Sequence, residues 1–314
     1  MLTKKNTLLL SYLFLLTTAV VPVHLLAATE PLPVFVSIAP QKWLVEQLGG
    51  DLVKTQVLLD KGQEPHTYQP SPEKMTLLFR SRLYFTIGMP FELEIARKIT
   101  SHNNATTSLQ LIDVTMGIKK IPMVAHRHKE KNHEGHAQHR DEEAGQDLDQ
   151  KHADPHIWLD PRNVEKIASA MTEALTTADS EHRAIYQQNF KALKKRLTLL
   201  HQELEQQLAP FRGATFFVFH PAFGYFAHTY DLHQEAVEIE GKAPSPKQLY
   251  ALVKKAKADK VKVLFVQPQF DQKNAQTVAK AIKGRLVKLD PLAKNIEQNL
   301  RQMAEAVQTA LGPR

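Results

Sequence analysis

The chain contains no cysteine. That absence excludes disulfide staples, thiolate metal sites, a cysteine nucleophile and a bacterial lipid anchor on an N-terminal cysteine. Any transition metal must therefore be held by His, Asp or Glu. Aromatic residues are few, at 7%, and none interleave with a basic patch of the kind that grips nucleic acid. Beyond the first thirty residues no apolar run is long enough to cross a ~30 Å hydrocarbon core. Neither a nucleophile elbow nor a zincin helix motif is present.

What is there begins with an address. Lys4-Lys5 precede a largely apolar run from Leu8 to Val23, broken mainly by Ser11, Thr17 and Thr18, and Leu25-Leu26-Ala27-Ala28 offers small residues for cleavage. This order is that of a secretory signal peptide, so residues 1–28 are expected to be removed and the rest to lie free in the periplasm. The formal charge is +7. It reads as alternating Lys and Glu spread over a solvated surface, with no nucleic-acid partner. At 43% hydrophobic over 314 residues, the chain can build more than one core of ordinary size.

Short strands alternate with helical stretches. Val34–Ile38, Val53–Leu59 and Leu83–Ile87 read as strands, with helices over Gln41–Leu48 and Glu73–Arg80. A helix over Asn163–Thr176 is followed by one apolar stripe, Phe190, Leu193, Leu197, Leu200, Leu204 and Leu208, spaced by threes and fours. A second round then sets strands at Thr215–Phe219, Ala236–Ile239, Val263–Val266 and Arg285–Leu289 between helices from Pro221, Pro246, Gln272 and Ile296. The expectation is an α/β fold of two lobes, each a parallel sheet flanked by helices, joined by one long helix. The boundaries are 29–180, 181–209 and 210–314. Between about Ala125 and Asp154 large apolar residues are almost absent and His, Glu, Asp, Lys and Gln crowd together; such a stretch reads as a mobile loop.

Three histidines follow strands and stand beside prolines: His66 in Glu64-Pro65-His66, His156 in Asp154-Pro155-His156, and His220 before Pro221. Ligands of open α/β sheets gather at the carboxyl ends of strands, and neutral imidazoles are the commonest zinc ligands. A fourth ligand would be an oxygen. Asp290, closing the last strand before Pro291, and Glu64 are both candidates, and a helix-capping or turn role for Asp290 stays open. His133-Glu134-Gly135-His136 is not a protease motif, because its histidines are three apart rather than one helical turn of four.

Four segments together resemble the zinc/manganese substrate-binding proteins of ABC importers, most closely the periplasmic zinc-binding branch. They are Pro65-His66-Thr67-Tyr68-Gln69-Pro70-Ser71-Pro72, Asp154-Pro155-His156-Ile157-Trp158-Leu159-Asp160-Pro161, Phe219-His220-Pro221-Ala222-Phe223-Gly224-Tyr225-Phe226 and Pro244-Ser245-Pro246-Lys247-Gln248-Leu249. The resemblance implies a rigid linking helix, metal in the interlobe cleft, and His66, His156, His220 and Asp290 as ligands. His rather than a carboxylate at position 220 implies zinc over manganese. It also implies a non-enzymatic, monomeric carrier that delivers Zn(II) to a membrane permease. The loop histidines His126, His128, His133, His136, His139 and His152 resemble the auxiliary loop of zinc members. A zinc hydrolase using three His and a metal-bound water is the competing reading.

Overall fold

The computed structural model describes residues 30–102, 108–123, 153–238, 245–259, 261–270 and 272–312. The expected leader and the loop histidines His126 to His152 lie outside the described residues. Pro31–Arg314 forms one compact unit. Among the described residues no helix is long and apolar enough to cross a membrane.

The first half runs β1 (Leu32–Val36), α1 (Ala39–Gly49), β2 (Val53–Val57), α2 (Pro72–Phe79), β3 (Leu83–Thr86), α3 (Glu92–His102), β4 (Gln110–Asp113) and α4 (Pro161–Ala178). Then comes α5 (Arg183–Leu208), a helix of 26 residues and so about 39 Å long. The second half runs β5 (Thr215–Val218), α6 (Gly224–Thr229), β6 (His233–Ala236), α7 (Pro246–Ala258), β7 (Val263–Val266), α8 (Gln272–Ala281), β8 (Arg285–Lys288) and α9 (Ile296–Leu311). Both sheets are parallel and four-stranded, ordered β2-β1-β3-β4 and β6-β5-β7-β8. The second half thus repeats the topology of the first. Central β3 and β7 are buried throughout, as strands covered on both faces must be. Polar residues mark the edge strands β4, β6 and β8.

Prolines beside the histidine motifs start helices. Ser71, Asp160 and Ser245 accept backbone N–H bonds from Lys74, Arg162 and Gln248, and Pro72, Pro161 and Pro246 occupy the first helical position, where a missing N–H costs nothing. Helix α5 buries Tyr186, Leu193, Leu197, Leu200, Leu204 and Leu208. It is tied to α1 by Asn189 Nδ2 donating to the Leu48 carbonyl, 2.8 Å, and to α9 by Arg196 Nε on Glu297, 2.9 Å. One hydrophobic core runs from β1 and β3 through α5 to β5, β7 and α9. A smaller core lies between the second sheet and α7 and α8.

Two elements differ from the sequence expectation. The strand expected at Ala236–Ile239 is β6, His233–Ala236: an edge strand shows water a polar face, so its polar residues hid it while the apolar Val237 beyond it drew the assignment forward. The helix expected from Pro221 begins only at Gly224. Helix α3 and strand β4 were not anticipated at all.

Candidate metal centre

Most groups at the candidate centre follow the carboxyl end of a strand. His66 lies in the turn after β2, and His156 in the segment between β4 and α4. His220, Glu238 and Asp290 each stand two residues beyond β5, β6 and β8, while Gln267 directly follows β7. Parallel strands in register therefore aim these loops at one end of the molecule.

Three imidazoles meet there. The ring centres of His66 and His220 are 5.2 Å apart and those of His156 and His220 are 5.4 Å apart, both edge-on. With Zn–N about 2.0–2.1 Å in a tetrahedral shell, and a ring centre roughly 1.1 Å behind its nitrogen, two imidazoles on one ion have centres roughly 5.2 Å apart. The spacing suits a shared ion. Even so, among the described residues no group of three or more His, Asp or Glu is already drawn together as a finished shell.

Two imidazoles are oriented by buried carboxylates. Asp154 Oδ1 lies 2.7 Å from His156 Nδ1 and also accepts the His156 backbone N–H at 2.9 Å. Glu238 Oε2 lies 3.0 Å from His220 Nδ1. An Nδ1–H donated to a carboxylate leaves Nε2 as the free lone pair, the arrangement that fixes metal-binding histidines. The other carboxylate oxygens, Asp154 Oδ2 and Glu238 Oε1, are buried with no hydrogen-bond partner among the described residues. Gln267 clamps the His220 backbone, accepting its N–H at 3.3 Å and donating to its carbonyl at 2.8 Å. Phe270 stacks on the His220 ring at 4.4 Å. Burial lowers the pKa of His220 despite the opposing pull of Glu238. Desolvation of its inward edge, then His220 itself, lower that of His66, although His66 is exposed as a residue. Both shifts favour the neutral imidazole that a metal requires.

The oxygen candidates sit differently. Glu64 is committed to its own turn, accepting the backbone N–H groups of His66 and Thr67, each at 2.8 Å, and the Thr67 hydroxyl at 2.6 Å. Asp290 Oδ1 accepts from Gln269 Nε2 at 2.7 Å and from the Leu292 N–H at 3.0 Å. That is a turn aspartate's role. Among the described residues no hydrogen bond or ion pair joins Asp290 to the imidazoles; it borders a cavity of about 350 Å³ with Leu59, Lys61, Gln269 and Lys294. The structure thus gathers His66, His156 and His220 and leaves Asp290 and Glu64 engaged elsewhere. Asp154, Glu238, Gln267 and Phe270 were missed from sequence. Asp154 had a signal, two residues ahead of His156 in the same motif, whereas Glu238 was concealed by the misplaced strand.

The site spans both halves. Trp158 Nε1 donates to the Pro291 carbonyl at 2.7 Å, Arg162 to Thr229 Oγ1 at 3.0 Å, and Lys294 pairs with Glu46 at 2.6 Å.

Over residues 34–310 the chain matches the family profile described as ZnuA, the periplasmic component A of the zinc-uptake complex. The high-affinity zinc uptake system protein ZnuA of Brucella abortus is 26% identical over 306 residues, spanning 88% of this chain and 91% of that protein. Its counterpart in Yersinia pestis is 26% identical over 273 residues, spanning 84% of each. A crystal structure of ZnuA aligns with a TM-score of 0.77 at 32% identity, covering 90% of this chain and 100% of that one. The laminin binding protein of Streptococcus agalactiae shares the fold, with a TM-score of 0.72 at 21% identity over 90% of this chain and 100% of that one. With its two repeated parallel sheets, its linking helix and a family match over nearly its whole length, the chain belongs to the ZnuA family of periplasmic zinc-uptake components.

Proposed function

We propose that this chain captures Zn(II) in the periplasm with His66, His156 and His220 and delivers it to the membrane permease of an ABC importer. It works as a monomeric carrier rather than an enzyme. Residues 29–180 and 210–314 act as the two lobes, and the 181–209 helix as their rigid link. The observation that carries this reading is the meeting of three imidazoles from both halves at ring spacings of 5.2 and 5.4 Å. His156 and His220, oriented through Nδ1, present Nε2 to the ion, and His66 closes on it from the more exposed side. The fourth position falls to Asp290 through Oδ2, the oxygen not engaged by Gln269 and Leu292, or to water. With Asp290 as the fourth ligand, a shell of three His and one carboxylate leaves no open position for a substrate, which suits transport rather than hydrolysis. The histidines between His126 and His152 serve as weaker auxiliary ligands.

Isothermal titration of the apo protein with zinc tests the assignment. One tight site is expected, weakened at least about a hundredfold in His156→Ala and His220→Ala, because each removes a ligand on which tight chelation depends. Somewhat smaller losses are expected in His66→Ala, and the mildest in Asp290→Asn. Tight binding retained in all three histidine variants would sink the ligand set. Manganese is expected to bind more weakly than zinc throughout.

A further inference from the structure

The even spread of charge expected from the sequence does not hold. Residues 246–288 carry eleven of the forty Lys and Arg but only two of the thirty-three Asp and Glu, a net +9 against +7 for the whole chain, so everything else together is net −2. This segment is α7, β7, α8 and β8.

Its two helices lie on the outer face of the second sheet. Leu252, Ala256, Ala275, Val278 and Ala279 point into the small core beneath them, which turns the opposite faces to solvent. On α7 that outer stripe is Lys247, Tyr250, Lys254 and Lys257, at the 3-4-3 spacing of one helix face. All four are exposed, and Tyr250 is 72% exposed. On α8 the outer face carries Lys280, and exposed Lys283 follows the helix. Both helices return from the carboxyl ends of the strands, so their last turns lie at the pole opposite the histidines. There exposed Lys262 precedes β7 and exposed Arg285 opens β8, joined by the Arg285 N–H donating to the Lys262 carbonyl at 2.9 Å.

Simpler causes explain only part of this. Lysines in a last helical turn complement the helix dipole, and charges on edge strand β8 discourage strand pairing. Neither calls for Lys247 in the first turn of α7, nor for the scarcity of acids. Lys255 pairs with Glu235, and Asp259 is the one described acid within the segment.

We propose that the flank formed by α7 and α8 docks on an anionic phospholipid bilayer. A broad face of two helices, with spaced lysines whose stems can lie along the surface and one exposed tyrosine suited to the headgroup layer, matches a flat anionic surface. No groove is needed for such a partner. Polybasic faces of this kind bind anionic lipid electrostatically, with contributions that accumulate per Lys or Arg. The carrier would lie side-on at the membrane with its histidine end unobstructed. The cellular meaning rests on the periplasmic placement above; the lipid contact itself does not.

Cosedimentation of the secreted protein with vesicles tests it, comparing equal parts phosphatidylglycerol and phosphatidylcholine with phosphatidylcholine alone. Binding is expected only to the anionic vesicles, and it should be lost at about 0.5 M salt, where the Debye length falls to a few ångströms. The variant Lys247→Glu/Lys254→Glu/Lys257→Glu/Lys280→Glu should bind at least about tenfold more weakly, and the matching Lys→Arg variant like the parent. Zinc titration on the same samples should give the same affinity in all three proteins. The proposal is overturned if the parent ignores anionic vesicles at low salt, or if the glutamate variant binds as the parent does. Retention on an immobilised soluble polyanion without vesicle binding overturns it too, in favour of a soluble acidic partner.

Discussion

At the scale of single residues, the candidate centre is braced by carboxylates that hold its imidazoles through Nδ1. Glu238 and Asp154 are both buried, and each spends one oxygen on an imidazole while the other has no partner among the described residues. A buried unpaired polar atom costs about 1–3 kcal/mol, which is hard to justify by packing and understandable if the carboxylates set tautomer and ring direction. Glu238→Gln keeps an acceptor for His220 Nδ1 but removes the charge; zinc affinity measured by chelator competition should fall about tenfold, and further in Glu238→Ala, within the range known for such outer groups. Unchanged affinity in both would assign Glu238 to packing alone. Glu92 behaves differently. Its carboxylate accepts the N–H groups of Ile87, Gly88 and Met89 after β3, with oxygens at 2.7–3.1 Å, yet burial outweighs these bonds and raises its pKa to about 7. Between the ordinary carboxylate value and about 7 the folded state therefore holds more protons than the unfolded chain, so this group makes stability fall as pH rises across that window. His220 and His66, whose pKa values are lowered, act the other way, so the comparison of parent with Glu92→Gln isolates the effect. The variant, weakened overall by losing a good acceptor, should show a smaller drop in urea-unfolding free energy from pH 5 to pH 8. A parallel pH profile in the two proteins would contradict the assignment.

At the scale of elements, the centre is a consequence of parallel strands whose following turns share one end. That much was legible in sequence for short apolar strands, helices at the right intervals and His220 just past β5; His66 lies nine residues beyond β2, and His156 precedes α4 with no strand immediately before it. The stripe Leu193 to Leu208 likewise foretold α5, because leucines spaced by threes and fours mark one buried face of a helix. Elsewhere the sequence misled for identifiable reasons. β6 is mostly polar because an edge strand meets water, and sliding it by three residues placed Glu238 inside a strand instead of beyond one. For Asp290 the turn alternative was legible, since its bond from the Leu292 N–H is local, whereas its bond from Gln269 joins residues 21 apart that no local pattern pairs. Gly224 is a further contact of that kind. It opens α6, and a Cβ there would lie 2.3 Å from Asp154 Oδ2, so glycine is what allows the second half to close over the carboxylate holding His156. Gly224→Ala should destabilise the fold by about 1–3 kcal/mol, the usual cost of overpacking, and should weaken zinc binding because Asp154 must move. Native urea stability together with native zinc affinity in this variant would show that the contact yields without consequence.

At the scale of the whole molecule, two repeated sheets could behave as independent domains, and the packing argues that they do not. The main core is continuous from Val34 and Phe85 of the first half, through Leu193 to Leu208 of α5, to Phe216, Phe265 and Met303 of the second. Trp158–Pro291 and Glu46–Lys294 add polar ties across the halves. A fold that shares one core should lose it at once, so calorimetry of the zinc-free protein is expected to show one transition whose calorimetric and van't Hoff enthalpies agree. Two resolved transitions would mean that α5 is a linker between separate folding units. An ion gripped from both halves favours the folded state alone, and at a hundredfold excess over its dissociation constant it should add about 2.7 kcal/mol, raising the midpoint by several degrees. His156→Ala should abolish that shift while keeping the single transition, since Asp154 and His156 lie beside the core rather than within it. Zinc raising the midpoint equally in that variant would place the stabilising ion somewhere other than among the three imidazoles.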